Sequence, residues 1–238
     1  MTEAASPEGA ASNVLQQLQD LLAGIYDLPT DYRIEDFLFT ERERLPSPAR
    51  ESDTDEQLLV LDQDGAASVG LFLDARLLER LASANPLEAL NAGNLADYWT
   101  ALEGVSHFLY LAWNAGYDRG VTLLELELQA EIDKYVASWW LLRAQDPERC
   151  PAELHHLLFE RARVDARLAG GRAELYRAAN QYAGRFCRRL ERQLTAAAAR
   201  MRAARLHAGR MHAETLTELR RFYRLSPERK MTHIQRYS

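Results

Sequence analysis

The sequence predicts an α+β fold that is mainly α, with a small N-terminal antiparallel β-hairpin or sheet followed by a helical bundle. Three observations carry this. Asp64-Gly65 stands between two apolar runs, residues 58–63 (LLVLDQ) and 67–73 (ASVGLFL). Asp-Gly is a favoured pair for a type I′ hairpin turn, because both central residues must tolerate positive φ. From Leu95 onward, apolar residues recur at helical rather than alternating spacing. Finally, 47% of the 238 residues are hydrophobic, which is enough to bury a sizeable core and excludes a disordered chain.

The elements follow in order. Residues 1–11 are small and polar with Pro7 and Gly9, and read as a disordered tail. Ser12 or Asn13 caps a first helix carrying Val14, Leu15, Leu18, Leu21 and Leu22 on one face, which ends near 24–27 ahead of Pro29. Residues 33–40 (RIEDFLFT) read as a strand, and the charged stretch 41–56, with Pro46 and Pro48, as an exposed loop. After the β-hairpin, Asp74 caps a helix reaching about Ala84, with Leu77, Leu78 and Leu81 inward, and Pro86 breaks the chain. A helical hairpin over 95–142 comes next: helix 95–116, turn 117–120, helix 121–142. Pro147 and Pro151 separate it from a helix over 152–168 that Gly170-Gly171 stops. A long helix starts near Ala173, with Gly209 as its expected interruption, and another covers 211–225. Ser226-Pro227-Glu228 supplies a cap, a proline at the first position and an acid in the first turn for a last helix.

The net charge of −6 conceals an asymmetry. Residues 1–145 carry 9 Lys+Arg against 25 Asp+Glu, and residues 146–238 carry 20 against 10. The expected organisation is therefore an acidic α+β region, 12–145, and a basic all-helical region, 146–238, packed together as one globular unit. The opening residues lack an apolar signal core, and no stretch approaches 18 uncharged apolar residues. A cytoplasmic protein with no membrane partner is expected. Lys134 and Lys230 are the only lysines, a usage that fits a GC-rich, bacterial coding sequence. Cys150 and Cys187 lack the clustering of a zinc site and read as structural thiols.

Candidate chemistry concentrates in the helical hairpin. Glu103, His107, Tyr110 and Asn114 recur at i, i+4, i+7 and i+11, so they form one polar stripe on a helix that is otherwise apolar nearly all round. Buried, such a stripe must find partners. On the second helix Glu127, Glu131, Lys134 and Ser138 share that spacing. If the two stripes face one another, Glu103, His107, Glu127 and Glu131 converge within two turns. Carboxylates and imidazole from facing helices are how bundles hold Fe, Mn or Zn, although the Glu-x-x-His pair of di-iron bundles is replaced here by a single Glu-x-x-x-His. The same residues could instead serve acid–base catalysis, with Glu103, His107 and Glu131 as the catalytic candidates. The plainer reading is a hydrogen-bonded network that fixes the register of the hairpin.

A second candidate is the basic half. Arg185, Arg188, Arg189 and Arg192, then Arg220, Arg221 and Arg224 beside Phe222 and Tyr223, could contact a partner or a nucleic acid. Further arginines at 200, 202 and 205 extend the pattern, but no nucleic-acid-binding motif accompanies it. The pairs His155-His156 and His207/His212 are weak as metal spacings, and GxGxxG, Walker, GxSxG and HExxH motifs are missing. The reading ranked first is thus a non-catalytic interaction or regulatory protein, adaptor-like, acting through a protein partner or self-association, with no cofactor required. A metal-dependent or acid–base enzyme using the Glu/His cluster ranks next, and nucleic-acid binding is not favoured.

Overall fold

The computed structural model describes residues 7–29, 31–63, 66–149, 151–160, 170–203 and 213–236. The fold is mainly α with a small sheet towards the N-terminus, as the sequence predicts. The chain divides into two compact units, one of residues 1–23 and 29–113, the other of residues 24–28 and 114–238.

The first described helix is α1 (Pro7–Tyr26), whose residues up to Ala23 belong to the first unit and whose last three belong to the second. The helix starts at Pro7 rather than at Ser12 or Asn13, so residues 7–11 are helical and not part of a tail; residues 1–6 lie outside the described ones. Proline suits a first helical position because the N–H it lacks would have no partner there. Ala11, Val14, Leu15, Leu18 and Leu22 form the buried face of α1. Buried among them, Gln19 donates from Nε2 to the Tyr32 carbonyl at 2.6 Å, and its Oε1 accepts from the Ile34 backbone N–H at 2.8 Å. That grip corrects the reading of 33–40 as a strand. With the Ile34 amide committed to Gln19, the chain makes a 3-10 turn at Ile34–Asp36 and only β1 (Leu38–Phe39) is extended. The presumed loop 41–56 holds a second 3-10 turn, Arg42–Arg44, and the short helix α2 (Ser47–Arg50).

Strands β2 (Glu56–Gln63) and β3 (Ala66–Leu73) form the expected hairpin, with Gln63 paired to Ala66. Asp64 and Gly65 themselves lie outside the described residues. The sheet order is β1-β3-β2, and β1 runs parallel to β3, so the sheet is mixed rather than antiparallel throughout. Phe39, Leu45 and Phe72 pack as one cluster beneath it. Asp74 then caps α3 (Ala75–Ser83), its Oδ1 accepting from the Arg76 N–H at 2.9 Å. Arg80 of α3 holds Asp97 of α4 (Leu95–Ala115) with two bonds of 2.9 and 2.8 Å. Helix α4 is the buried element expected: Tyr98, Ala101, Leu102, Val105, Phe108, Leu109 and Tyr110 are all in the core.

The second unit opens with α5 (Leu123–Gln145). Thr122 and Glu125 close a reciprocal capping box at its start, Thr122 Oγ1 accepting from the Glu125 N–H at 3.3 Å and Glu125 Oε2 from the Thr122 N–H at 3.0 Å. Helix α5 is buried nearly all round, including Glu125, Glu127, Gln129, Asp133, Lys134 and Ser138. A π-helical turn, His156–Glu160, stands where a longer helix was expected; residues 161–169 are outside the described ones. Gly170 opens α6 (Gly170–Ala203) rather than ending the preceding helix. It is followed by α7 (Ala213–Tyr223) and α8 (Pro227–Arg236). Gly209, His207, His212, Cys150 and the side chains at 200, 202 and 205 lie outside the described residues. Cys187 is a buried thiol, and burial pushes its pKa well above the usual thiol value.

The boundary between the two units falls at 113/114, away from the change in charge at 145/146. Charge changes sign near residue 145, but packing does not. The acidic helix α5 belongs with the basic helices: Glu131 accepts from Lys134 at 2.9 Å and from Asn180 of α6 at 3.3 Å. At the heart of this unit Lys230 is fully buried and donates to Gln129 Oε1 at 3.2 Å, beneath the faces of Phe222 and Tyr223. Gln129 donates in turn to Asp133 at 2.9 Å and to the Tyr26 hydroxyl at 3.1 Å, and that hydroxyl donates to Asp133.

Candidate functional site

Two of the predicted site residues do come together, with a third that the sequence reading passed over. Glu103 and His107 are one turn apart on α4, which puts both side chains on one face of the helix. Glu56 enters from the first residue of β2. One ligand atom from each of Glu56, Glu103 and His107 lies within 4.8 Å of the other two. His107 Nδ1 is 3.5 Å from Glu56 Oε1, and these side chains are only 6% and 13% exposed. Among the described residues this is the one group of three or more acidic, histidine or cysteine side chains so placed.

The approach is possible because of the residue between the two helical ligands. A Cβ on Gly104 would sit 3.0 Å from Glu56 Cγ and 3.0 Å from Leu71 Cδ1. Only glycine lets β2 and β3 come this close to α4. Three potential ligand groups thus meet at a largely buried position. Two carboxylates and an imidazole are the ligand types that divalent first-row metal ions accept.

No family model, curated protein or solved structure matched this chain. The reading of the site therefore stands on its own geometry.

Glu127 and Glu131, the other two predicted ligands, belong to the second unit. Glu131 is engaged by Lys134 and Asn180, and Glu127 is buried on α5. Neither enters the group of three. The arginines proposed as partner or nucleic-acid contacts also divide. Arg220 donates to the carbonyls of Ile25 and Gly24, each at 3.0 Å, and Arg224 to those of Tyr26 and Asp27 at 3.0 and 2.9 Å. Arg189 pairs with Glu218 at 3.3 Å, and Arg188 with Glu160 at 2.6 Å. Arg185, Arg192 and Arg221 are exposed.

Glu56 itself stands out by no pattern of its own in the sequence. It was assigned to the end of a charged loop, where one acid among several is unremarkable. The clue lay in Gly104, since an unneeded glycine inside a long helix costs stability and often marks a close approach by another chain segment.

Proposed function

We propose that this is a metal-binding protein whose ion is held by Glu56, Glu103 and His107. The carrying observation is the convergence of their ligand atoms within 4.8 Å at a largely buried position. One nitrogen and carboxylate oxygens suit Zn2+, Mn2+ or Fe2+ better than a soft ion. Three protein residues leave coordination positions to water or substrate, as in catalytic rather than closed structural zinc sites. An ion so held offers Lewis acidity and a bound water of lowered pKa.

The test is elemental analysis of protein purified without chelator, beside Glu56→Gln and Glu103→Ala/His107→Ala. About one equivalent of metal, lost in variants that keep their helical circular dichroism, is the expected result. Loading should also fall on acidification, because protons compete for the ligating imidazole and carboxylates. Substoichiometric metal after dialysis against Zn2+, Mn2+ and Fe2+ would leave the three residues as a structural network.

A second reading, as an interaction protein, draws on a different observation. Strand β2 is at the sheet edge, and its neighbours Val60 and Leu61 are 55% and 45% exposed. Adjacent strand residues point to opposite faces, so this end of β2 is uncovered on both. An edge of this kind is a template for an added strand from a partner or a second copy. Light scattering on wild type and on Val60→Lys/Leu61→Lys distinguishes the cases: self-association through this edge predicts a dimer that the variant dissolves. A monomeric wild type would remove the self-association form of this reading.

A further inference from the structure

The second unit contains a groove of about 620 Å³ between the π-helical turn and α6, independent of the metal reading. That volume is in the range of small-molecule sites and is several times what inorganic phosphate fills. Arg185, Arg188 and Arg192 line it at i, i+3 and i+7, so they form one stripe along α6. Arg185 and Arg192 are exposed and have no acidic partner among the described residues. The groove already holds one anionic group of the protein's own. Glu160 accepts from Arg188 at 2.6 Å and from His156 Nδ1 at 2.7 Å, and these two bonds hold its carboxyl below the usual carboxylate range. Its donors are therefore in position for carboxylate or phosphoryl oxygens. Three arginines against one carboxylate leave the lining with net positive charge.

The floor is unusual. His155 is 4% exposed, and its Nε2 donates to the Gly184 carbonyl at 2.8 Å. Its Nδ1 is buried and finds no hydrogen-bond partner among the described residues, with Glu160 Oε1 3.7 Å away. Phe159, half-buried, packs on this imidazole with ring centroids 4.9 Å apart. It reaches α6 because residue 184 is glycine: a Cβ there would be 3.2 Å from Phe159 Cβ and Cγ. A buried imidazole, a partly exposed aromatic ring and a row of arginines thus meet in one cleft.

We propose that this groove binds a small phosphomonoester that carries a planar ring, of the mononucleotide class. Its phosphoryl oxygens are taken by Arg185 and Arg192 and its ring lies against Phe159. As the ligand draws on Arg188, Glu160 is released toward His155 Nδ1. The arginine stripe spans seven residues, about 10 Å of helix axis. That length fits one nucleotide rather than the extended track a nucleic-acid strand occupies.

The test is titration calorimetry of the full chain with AMP, phenyl phosphate, adenosine and inorganic phosphate. AMP and phenyl phosphate should bind saturably, and adenosine and inorganic phosphate more weakly than either. Arg185→Gln/Arg192→Gln should weaken AMP by about tenfold or more while leaving circular dichroism unchanged. Glu160→Gln removes the internal competitor and should tighten AMP several-fold, an effect that a purely structural role for these residues does not produce. Absence of saturable binding by both phosphoesters at millimolar concentration overturns the proposal. So does unaltered affinity in the arginine variant. Far tighter binding of a single-stranded RNA dodecamer, with a steep salt dependence, would also overturn it in favour of a polymer site.

Discussion

At the scale of single residues, Gly104 does the most to define the candidate metal site. As a glycine inside α4 it forgoes about 1 kcal/mol of helix propensity relative to alanine. Propensity alone therefore predicts that Gly104→Ala stabilises. Contact predicts the opposite, because the added Cβ meets Glu56 Cγ and the fully buried Leu71 Cδ1 at 3.0 Å. Overpacking of this kind costs about 1–3 kcal/mol, so the strain should win. Urea denaturation of Gly104→Ala should show a net loss of stability, and metal occupancy should fall with it. Glu103 and His107 were legible in the sequence because a polar stripe on an apolar helix betrays itself by period. Glu56 was not, since it stands 47 residues from Glu103 on another element and its neighbours form no pattern with it. A ligand set drawn from a strand and a helix has no single period to read.

The elements that were easiest to read are those whose ends carry their own chemistry. Asp74 caps α3 as the sequence predicts, and Ser226-Pro227-Glu228 opens α8. The C-terminal end of α1 shows the reverse case. Its last carbonyls are satisfied from almost 200 residues away by Arg220 and Arg224 of the C-terminal segment, just before Asp27 turns the chain at φ 55°. Helix ends leave such carbonyls without partners, and positive charge is favourable there. Nothing local marks those arginines as caps, so their clustering with Phe222 and Tyr223 reads from sequence as an external binding surface. Arg224→Ala should cost about 1–2 kcal/mol, less than a fully buried charged bond because the guanidinium is partly exposed. Arg224→Lys should recover only part of this, since an ammonium cannot span two carbonyls as a planar fork does. Hydrogen exchange at residues 22–28 should quicken in both variants and more in the first. Unchanged exchange would mean that the helix end holds without them.

At the scale of the whole molecule, the charge asymmetry was plain in the sequence, but it marked a change of composition and not a boundary of packing. The acidic helix α5 and the basic helices share one core, and within it the two sequence halves meet at Lys230. Burial pushes the Lys230 ammonium down to about 7, against the attraction of Glu125 and Asp133. In the unfolded chain a lysine titrates near 10.4. The folded protein therefore binds fewer protons than the unfolded one above pH 7, and this group adds stability as pH rises from there. Below pH 7 the ammonium is charged in both states, and the full burial cost is present. The slope from one proton cannot exceed about 1.4 kcal/mol per pH unit. Two groups oppose it at higher pH: burial raises the Cys187 thiol and the Tyr26 hydroxyl, the latter also through Asp133, so the unfolded chain loses their protons first. The gain should thus be visible between about pH 7 and 8 and erode as an unfolded cysteine titrates near 8.5. Urea midpoints should rise over that interval in the wild type. Lys230→Met, which keeps the stem and removes the ammonium, should flatten the rise, and comparing the two profiles cancels every other titrating group. Equal slopes in both proteins would mean that Lys230 keeps its proton across the neutral range, held by Asp133, Glu125 and the ring faces above it.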